Sequence, residues 1–340
     1  LIKGMQLQIV LVAIILLVTQ SGCLPTTYPS GEKIHAAQLG ETTFLTADGV
    51  SLPLRYWLPK TQIKAVIVAV HGFNDYSNFF EMPAEYFSNQ GIACFAYDQR
   101  GFGAAPQRGL WAGSDTYVED LQTITGLLKQ RYPQLPIYLL GESMGGAIVI
   151  TAMSRPEMPD VSGIILSAPA LWARSTMPWY QSGLLWTLAH SMPWLSLTGR
   201  GVHVQASDNI DMLRALGRDP LVIKETRVET IYGLTDLMDT AFSSASLLHG
   251  DMLVLYGEND QIIPKQPTYS FLQELLTTDT ADKTVAIYQH GYHMLLRDLQ
   301  AVTAWQDIAE WINSRPEKLP SGADLWAKQL LSSRSELEEK

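Results

Sequence analysis

Cysteine is nearly absent from this sequence, which has two in 340 residues, Cys23 and Cys94. Cys94 lies within Gly91-Ile92-Ala93-Cys94-Phe95-Ala96-Tyr97, a run that reads as a buried strand. It is therefore expected to be a small buried hydrophobe and not a reactive thiol. If Cys23 carries lipid, no intrachain disulfide can form, and an exported chain must rest on its core alone. Positive charge is also scarce: 24 Lys and Arg face 34 Asp and Glu, for a formal charge of −10. No stretch interleaves basic with aromatic residues, which argues against a phosphate-binding surface and a nucleic-acid partner. Apart from His290 and His293, the histidines are scattered without ligand spacing, so no metal is expected. What the chain does have is 46% hydrophobic and 17% charged residues, the composition of a globular protein with a substantial core. The length allows one large domain or two small ones.

Residues 1–22 read as a signal peptide. Lys3 precedes the apolar run Ile9 to Val18, and Thr19-Gln20-Ser21-Gly22 follows. The run falls short of the roughly 20 apolar residues of a membrane span. Small residues directly before Cys23 resemble a bacterial lipoprotein signal, with Gln20 where an apolar residue is usual. The expectation is an exported lipoprotein of the periplasm or cell envelope, anchored to a membrane surface at Cys23. An ordinary export signal or an uncleaved anchor is the alternative. Residues 23–40, rich in Pro, Thr, Ser and Gly, read as a tether.

From Thr42 onward, short apolar runs alternate with longer amphipathic stretches. Strands are expected at Ser51–Leu58, Ala65–Val70, Ile92–Tyr97, Ile137–Leu140, Gly163–Ser167, Met252–Tyr256 and Thr284–Tyr288. Helices are expected near Asn78–Gln90, Ser114–Arg131, Gly145–Met153 and Leu299–Asn313. Continuous Val, Ile and Leu runs with helices between them imply a mostly parallel sheet covered on both faces, an α/β domain over residues 41–315. Between about residues 170 and 245 no strand is evident, and Trp172, Met177, Trp179, Trp186, Met192 and Trp194 accumulate. This segment is expected to be a helical cap. Its aromatics form either an apolar entrance or the cap's own small core. In the tail, residues 316–340, a short amphipathic helix is expected at Ala323–Leu331.

The segment Ile137-Tyr138-Leu139-Leu140-Gly141-Glu142-Ser143-Met144-Gly145-Gly146-Ala147 carries the chemistry. A strand runs into Gly-x-Ser-x-Gly and a helix follows, the setting in which a sharp turn presents Ser143 above the sheet edge. The helix N-terminus offers N–H groups and partial positive charge to a developing oxyanion. A serine needs a base. His293, on the loop after the last strand, is the candidate, with His290 as its rival. The base needs an acid, and Asp260, past the strand end Leu255-Tyr256-Gly257, gives the chain order Ser, Asp, His. Glu258 and Asp282 are its rivals. Phe73 N–H, on the loop after Val66–Val70, and Met144 N–H are the candidate oxyanion donors. His71 is expected to brace that loop.

These residues resemble the monoacylglycerol lipase and lysophospholipase branch of the α/β-hydrolases, related to the serine aminopeptidases. The matching motifs are His71-Gly72-Phe73, Asp98-Gln99-Arg100-Gly101-Phe102-Gly103, Gly141-Glu142-Ser143-Met144-Gly145-Gly146, Gly257-Glu258-Asn259-Asp260 and His290-Gly291-Tyr292-His293. Phe102 stands where that branch usually has His. The resemblance implies an α/β-hydrolase fold with a cap, and cofactor-free hydrolysis of carboxylic esters of glycerol or glycerophospholipids. A peptidase on the same triad is the rival enzyme, and a non-catalytic binding module that kept the fold is the rival of another class.

Overall fold

The computed structural model describes residues 24–199, 201, 204–277 and 282–338. The expected signal peptide and Cys23 lie outside these residues. The strands are β1 (Gln38–Leu39), β2 (Thr43–Leu45), β3 (Ser51–Trp57), β4 (Ala65–Val70), β5 (Ile92–Tyr97), β6 (Ile137–Glu142), β7 (Gly163–Ser167), β8 (Ser196–Thr198), β9 (Glu225–Arg227), β10 (Met252–Gly257) and β11 (Lys283–Tyr288). Nine of them form one sheet in the order β1-β2-β3-β5-β4-β6-β7-β10-β11. The edge from β1 through β3 to β5 is antiparallel, and every pairing from β5 to β11 is parallel.

The helices are α1 (Glu81–Asn89), α2 (Ser114–Arg131), α3 (Met144–Met153), α4 (Trp179–Ser191), α5 (Ile210–Arg218), α6 (Val228–Ser243), α7 (Lys265–Thr277), α8 (Ala301–Ser314) and α9 (Ala323–Glu338). The parallel strands need cover on both faces because they are apolar on both. In β4, Val66, Val68 and Val70 join the core beneath α2, α3 and α7. The alternate residues Ala65, Ile67 and Ala69 join the core beneath α1 and α8. This period of two sorts one strand into two cores. The tail helix α9 packs along β11 and buries Ala327 and Leu331.

Several expectations need correction. The cap is not strand-free: β8 and β9 pair antiparallel as a separate ribbon. Each has three residues, and β8 is exposed throughout, so burial left no alternation to read. The edge strands β1 and β2 are too short for periodicity, and α7 was not anticipated. The expected tether is not free of the domain. Thr26 N–H donates to Glu229, Tyr28 N–H to Trp111 O, Ser30 N–H to Thr116, and Ile34 N–H to Ala47 O.

The cap aromatics divide. Trp172 and Met177 pack against the main core. Trp179, Trp186 and Trp194 are 84%, 55% and 55% exposed, so these three do not build an aromatic core for the cap. The cap is fastened mainly through α6, which buries Val228, Leu237, Met238 and Ala241 and packs on α3.

Candidate active site

Ser143 follows β6 and caps α3 with φ 54° and ψ −116°, a backbone conformation a side-chain-bearing residue rarely adopts. Hydrogen bonds from both sides hold it there. Ser143 N–H donates to Ser167 O at 3.0 Å, and its carbonyl accepts from Ala147 and Ala170 N–H. The flanking glycines are steric requirements. A Cβ on Gly145 would lie 2.0 Å from Val70 O, and one on Gly141 would lie 2.4 Å from Gly145 O. The sequence thus forces α3 against β4 and lifts Ser143 over the carboxyl edge of the sheet.

The loops after β10 and β11 meet at the same edge of the sheet. Asp260 Oδ1 accepts from Ile262 and Ile263 N–H, leaving Oδ2 to His293 Nδ1 at 2.8 Å. Both side chains are buried. A Cβ on Gly257 would fall 2.4 Å from Tyr292 O, so a glycine there lets the two loops touch. Burial alone would lower the His293 pKa. The Asp260 charge and hydrogen bond, helped by Glu142, outweigh it and raise His293 above the ordinary 6.5.

The rivals separate cleanly. His290 is exposed and lines a cavity of about 260 Å³ with Tyr288, Asp298, Ser321 and Trp326, apart from Ser143. Glu258 accepts from Trp326 Nε1 at 3.3 Å and so faces α9. Asp282 precedes β11, at the opposite end of the sheet.

Ser143, Asp260 and His293 therefore lie on loops at one edge, with Asp260 and His293 in direct contact. Ser143 Oγ donates to no acceptor among the described residues, as catalytic hydrogen bonds often tighten only around substrate. The Phe73 and Met144 N–H groups likewise donate to no protein acceptor among those residues. His71 braces its loop as expected: Nδ1 donates to Gly72 O at 2.8 Å, and Nε2 accepts from Gln99 N–H at 3.0 Å. Burial pushes its pKa down, which keeps the imidazole neutral. Phe102 packs edge-on against both His71 and Phe73. Cys94 is buried and its thiol pKa is pushed up by burial, so it is inert.

Sequence reasoning missed a buried ion cluster. Arg297 Nη2 reaches Glu142 Oε1 at 2.7 Å and Asp75 Oδ2 at 2.8 Å. The one signal was Glu142 itself, a carboxylate inside an otherwise apolar elbow that must find a cation. The cap is also stitched to the base loop. Ser207 Oγ donates to Asp298 Oδ1 at 2.6 Å, Tyr292 N–H to Asp298 Oδ2 at 2.8 Å, and Met294 N–H to Ala206 O at 2.9 Å. Among the described residues, no group of three or more His, Cys, Asp or Glu is arranged to hold a metal ion.

A mostly parallel sheet, a serine on a strained strand-to-helix turn and a buried His–Asp pair on the loops after later strands define an α/β-hydrolase. The family model described as serine aminopeptidase, S33, matches residues 61–300, and the chain belongs to that family. Human monoglyceride lipase is 30% identical over 278 residues, covering 80% of this chain and 89% of the relative. Monoacylglycerol lipase of Mycolicibacterium smegmatis is 27% identical over 282 residues, covering 81% and 97%. Among solved structures, monoacylglycerol lipase of Paleococcus ferrophilus superposes with a TM-score of 0.63 at 25% identity, covering 78% of this chain and 99% of its own. These relatives agree with the branch that the motifs resemble.

Proposed function

We propose that this chain hydrolyses carboxylic esters of lipids, of the monoacylglycerol or lysophospholipid type, through an acyl-enzyme on Ser143. The observation that carries the reading is the buried 2.8 Å His293–Asp260 contact beside a serine on a strained turn. Ser143 Oγ attacks the ester carbonyl while His293 Nε2 takes its proton, and Asp260 stabilises the imidazolium. Phe73 and Met144 N–H groups, free of protein acceptors among the described residues, receive the oxyanion. His293 then protonates the leaving alcohol, and water activated by the same imidazole releases the fatty acid. An ester is favoured over a peptide by the monoacylglycerol lipases among the relatives, and Glu142 and Asp75, paired with Arg297, are poorly placed to receive an ammonium.

The reading extends to location: an exported bacterial lipoprotein, anchored at Cys23 to a membrane surface in the periplasm or cell envelope. Support comes from the apolar lead and small residues before Cys23 and from the exposed Trp179, Trp186 and Trp194 of the cap. Tryptophan suits the boundary between water and lipid.

Fluorophosphonate labelling and fatty-acid release from monoacylglycerol, lysophospholipid and amide substrates test the chemistry. Ser143→Ala and His293→Ala are expected to cut turnover by about 10⁵–10⁶-fold and abolish labelling. In the wild type, kcat/KM is expected to fall as pH drops through a pKa above 6.5, the form in which His293 loses its capacity to act as base. Labelling that persists in Ser143→Ala overturns the assignment. For the anchor, Cys23→Ser is expected to move the full chain from the membrane to the soluble fraction. Unchanged fractionation removes the lipoprotein reading.

A further inference from the structure

Two buried polar atoms near the His293–Asp260 pair, Glu142 Oε2 and Arg297 Nε, have no hydrogen-bond partner among the described residues. They belong to the same cluster, in which one nitrogen of Arg297 serves both Glu142 and Asp75. All three residues are buried. Burying three charges while leaving polar atoms unmatched is a weak source of stability.

The location of the cluster supplies another reason for it. Glu142 immediately precedes Ser143. Asp75 stands two residues past Phe73, in a turn closed by Asp75 N–H to Gly72 O. Arg297 stands four residues past His293, in a turn closed by Arg297 N–H to Met294 O at 2.8 Å. Strand pairing between β4 and β6 stops at Val70 and Gly141, and β7 and β10 separate β6 from β11. Beyond the ends of the strands, ladder hydrogen bonds no longer set the spacing of these loops. Arg297 bridges all three. Its guanidinium also stands 5.8 Å from the Phe79 ring, which packs on His71.

We infer that Arg297 is a positioning residue, clamping the base loop to the serine elbow and the oxyanion loop so that His293 addresses Ser143. This rests on the triad reading above. Misplacing a catalytic group by about 1 Å costs on the order of 100-fold in rate. Because one nitrogen makes both contacts, a lysine ammonium has the donors to replace it, whereas methionine has none.

The test compares Arg297→Met, Arg297→Lys and the double variant Arg297→Met/Glu142→Gln, which removes one of the two buried carboxylates that Arg297→Met leaves uncompensated. Arg297→Met is expected to lose about 100-fold in kcat, with KM within about threefold of wild type. Arg297→Lys is expected to fall between the two. The double variant should regain melting temperature over Arg297→Met without regaining kcat. A well-folded Arg297→Met with kcat near wild type overturns the clamp, as does a double variant that recovers kcat together with stability. Ser143→Ala in the same assay keeps the two claims apart: its retained turnover sinks the triad, while an inactive Ser143→Ala beside an active Arg297→Met sinks the clamp alone.

Discussion

Two buried arginines, each flanked by two carboxylates, are built to different standards. Arg100 makes two forks: Nη1 and Nη2 to Asp48 at 2.7 and 2.8 Å, and Nε and Nη2 to Asp120 at 2.7 and 3.0 Å. Asp48 accepts further from Gly31 N–H and Thr46 Oγ. Hydrogen bonds from Arg100 hold the Asp48 carboxyl well below the usual carboxylate range. Arg297 instead spends one nitrogen on two partners and leaves Nε unmatched. The saturated cluster ties Asp48, α2 and the turn after β5 together. The unsaturated one joins the loops that carry Phe73, Ser143 and His293. Full pairing at Arg100 fits a scaffold, and incomplete pairing at Arg297 fits a place whose geometry answers to something besides stability.

The sharpest way to test that division is to break each side where it is strongest. At the catalytic edge, Asp260→Asn keeps the shape but removes the charge that raises the His293 pKa. It is expected to lower kcat by about 10⁴-fold, as loss of the orienting carboxylate does in such triads. Folding should be little affected, which urea denaturation checks. On the scaffold side, Arg100→Met leaves Asp48 and Asp120 buried without their cation, at a cost of about 3–5 kcal/mol in stability. The kcat of the folded fraction, counted by active-site titration, is expected to stay near wild type. If Arg100→Met instead lowers kcat of the titrated sites as Arg297→Met does, the distinction between the clusters fails.

The same division governs what could be read in advance. The gathering of Ser143, Asp260 and His293 at one edge of the sheet was legible because the turn, the chain order and the strands that carry them leave local marks. The parallel strands were legible too, since burial on both faces writes unbroken runs such as Ala65-Val66-Ile67-Val68-Ala69-Val70. The Arg297 clamp left no such mark. Its contact with Glu142 joins residues 155 apart, and a lone Arg after a histidine carries no pattern. The strands of the cap were hidden because β8 is held by backbone pairing while its side chains face solvent. Composition announced the cap tryptophans but not which way they face. Trp172 and Trp179 are seven positions apart, yet one packs on the core and the other is exposed.

Asp298 is an intermediate case that sharpens the comparison. It stands on the loop that carries His293, yet both its oxygens are matched, Oδ1 by Ser207 and Oδ2 by Tyr292 N–H. Burial nevertheless pushes its carboxyl from 3.8 up to about 6, against the pull of those two donors. A carboxyl whose pKa is raised by folding favours the folded state most at low pH, and that favour is lost as pH rises through the folded value. Ser207→Ala removes one donor, so the Asp298 pKa should climb further. The variant is expected to lose about 1.5 kcal/mol, the worth of a hydrogen bond to a charged group. Its deficit should widen as pH rises through 6 and narrow toward pH 4, where both proteins hold a protonated Asp298. Urea denaturation at pH 4.5 and pH 8, about 1.5–2 units either side of the raised value, reads that difference directly. A deficit independent of pH would mean that Ser207 holds the cap through packing alone, and Asp298 would then join Arg100 on the scaffold side.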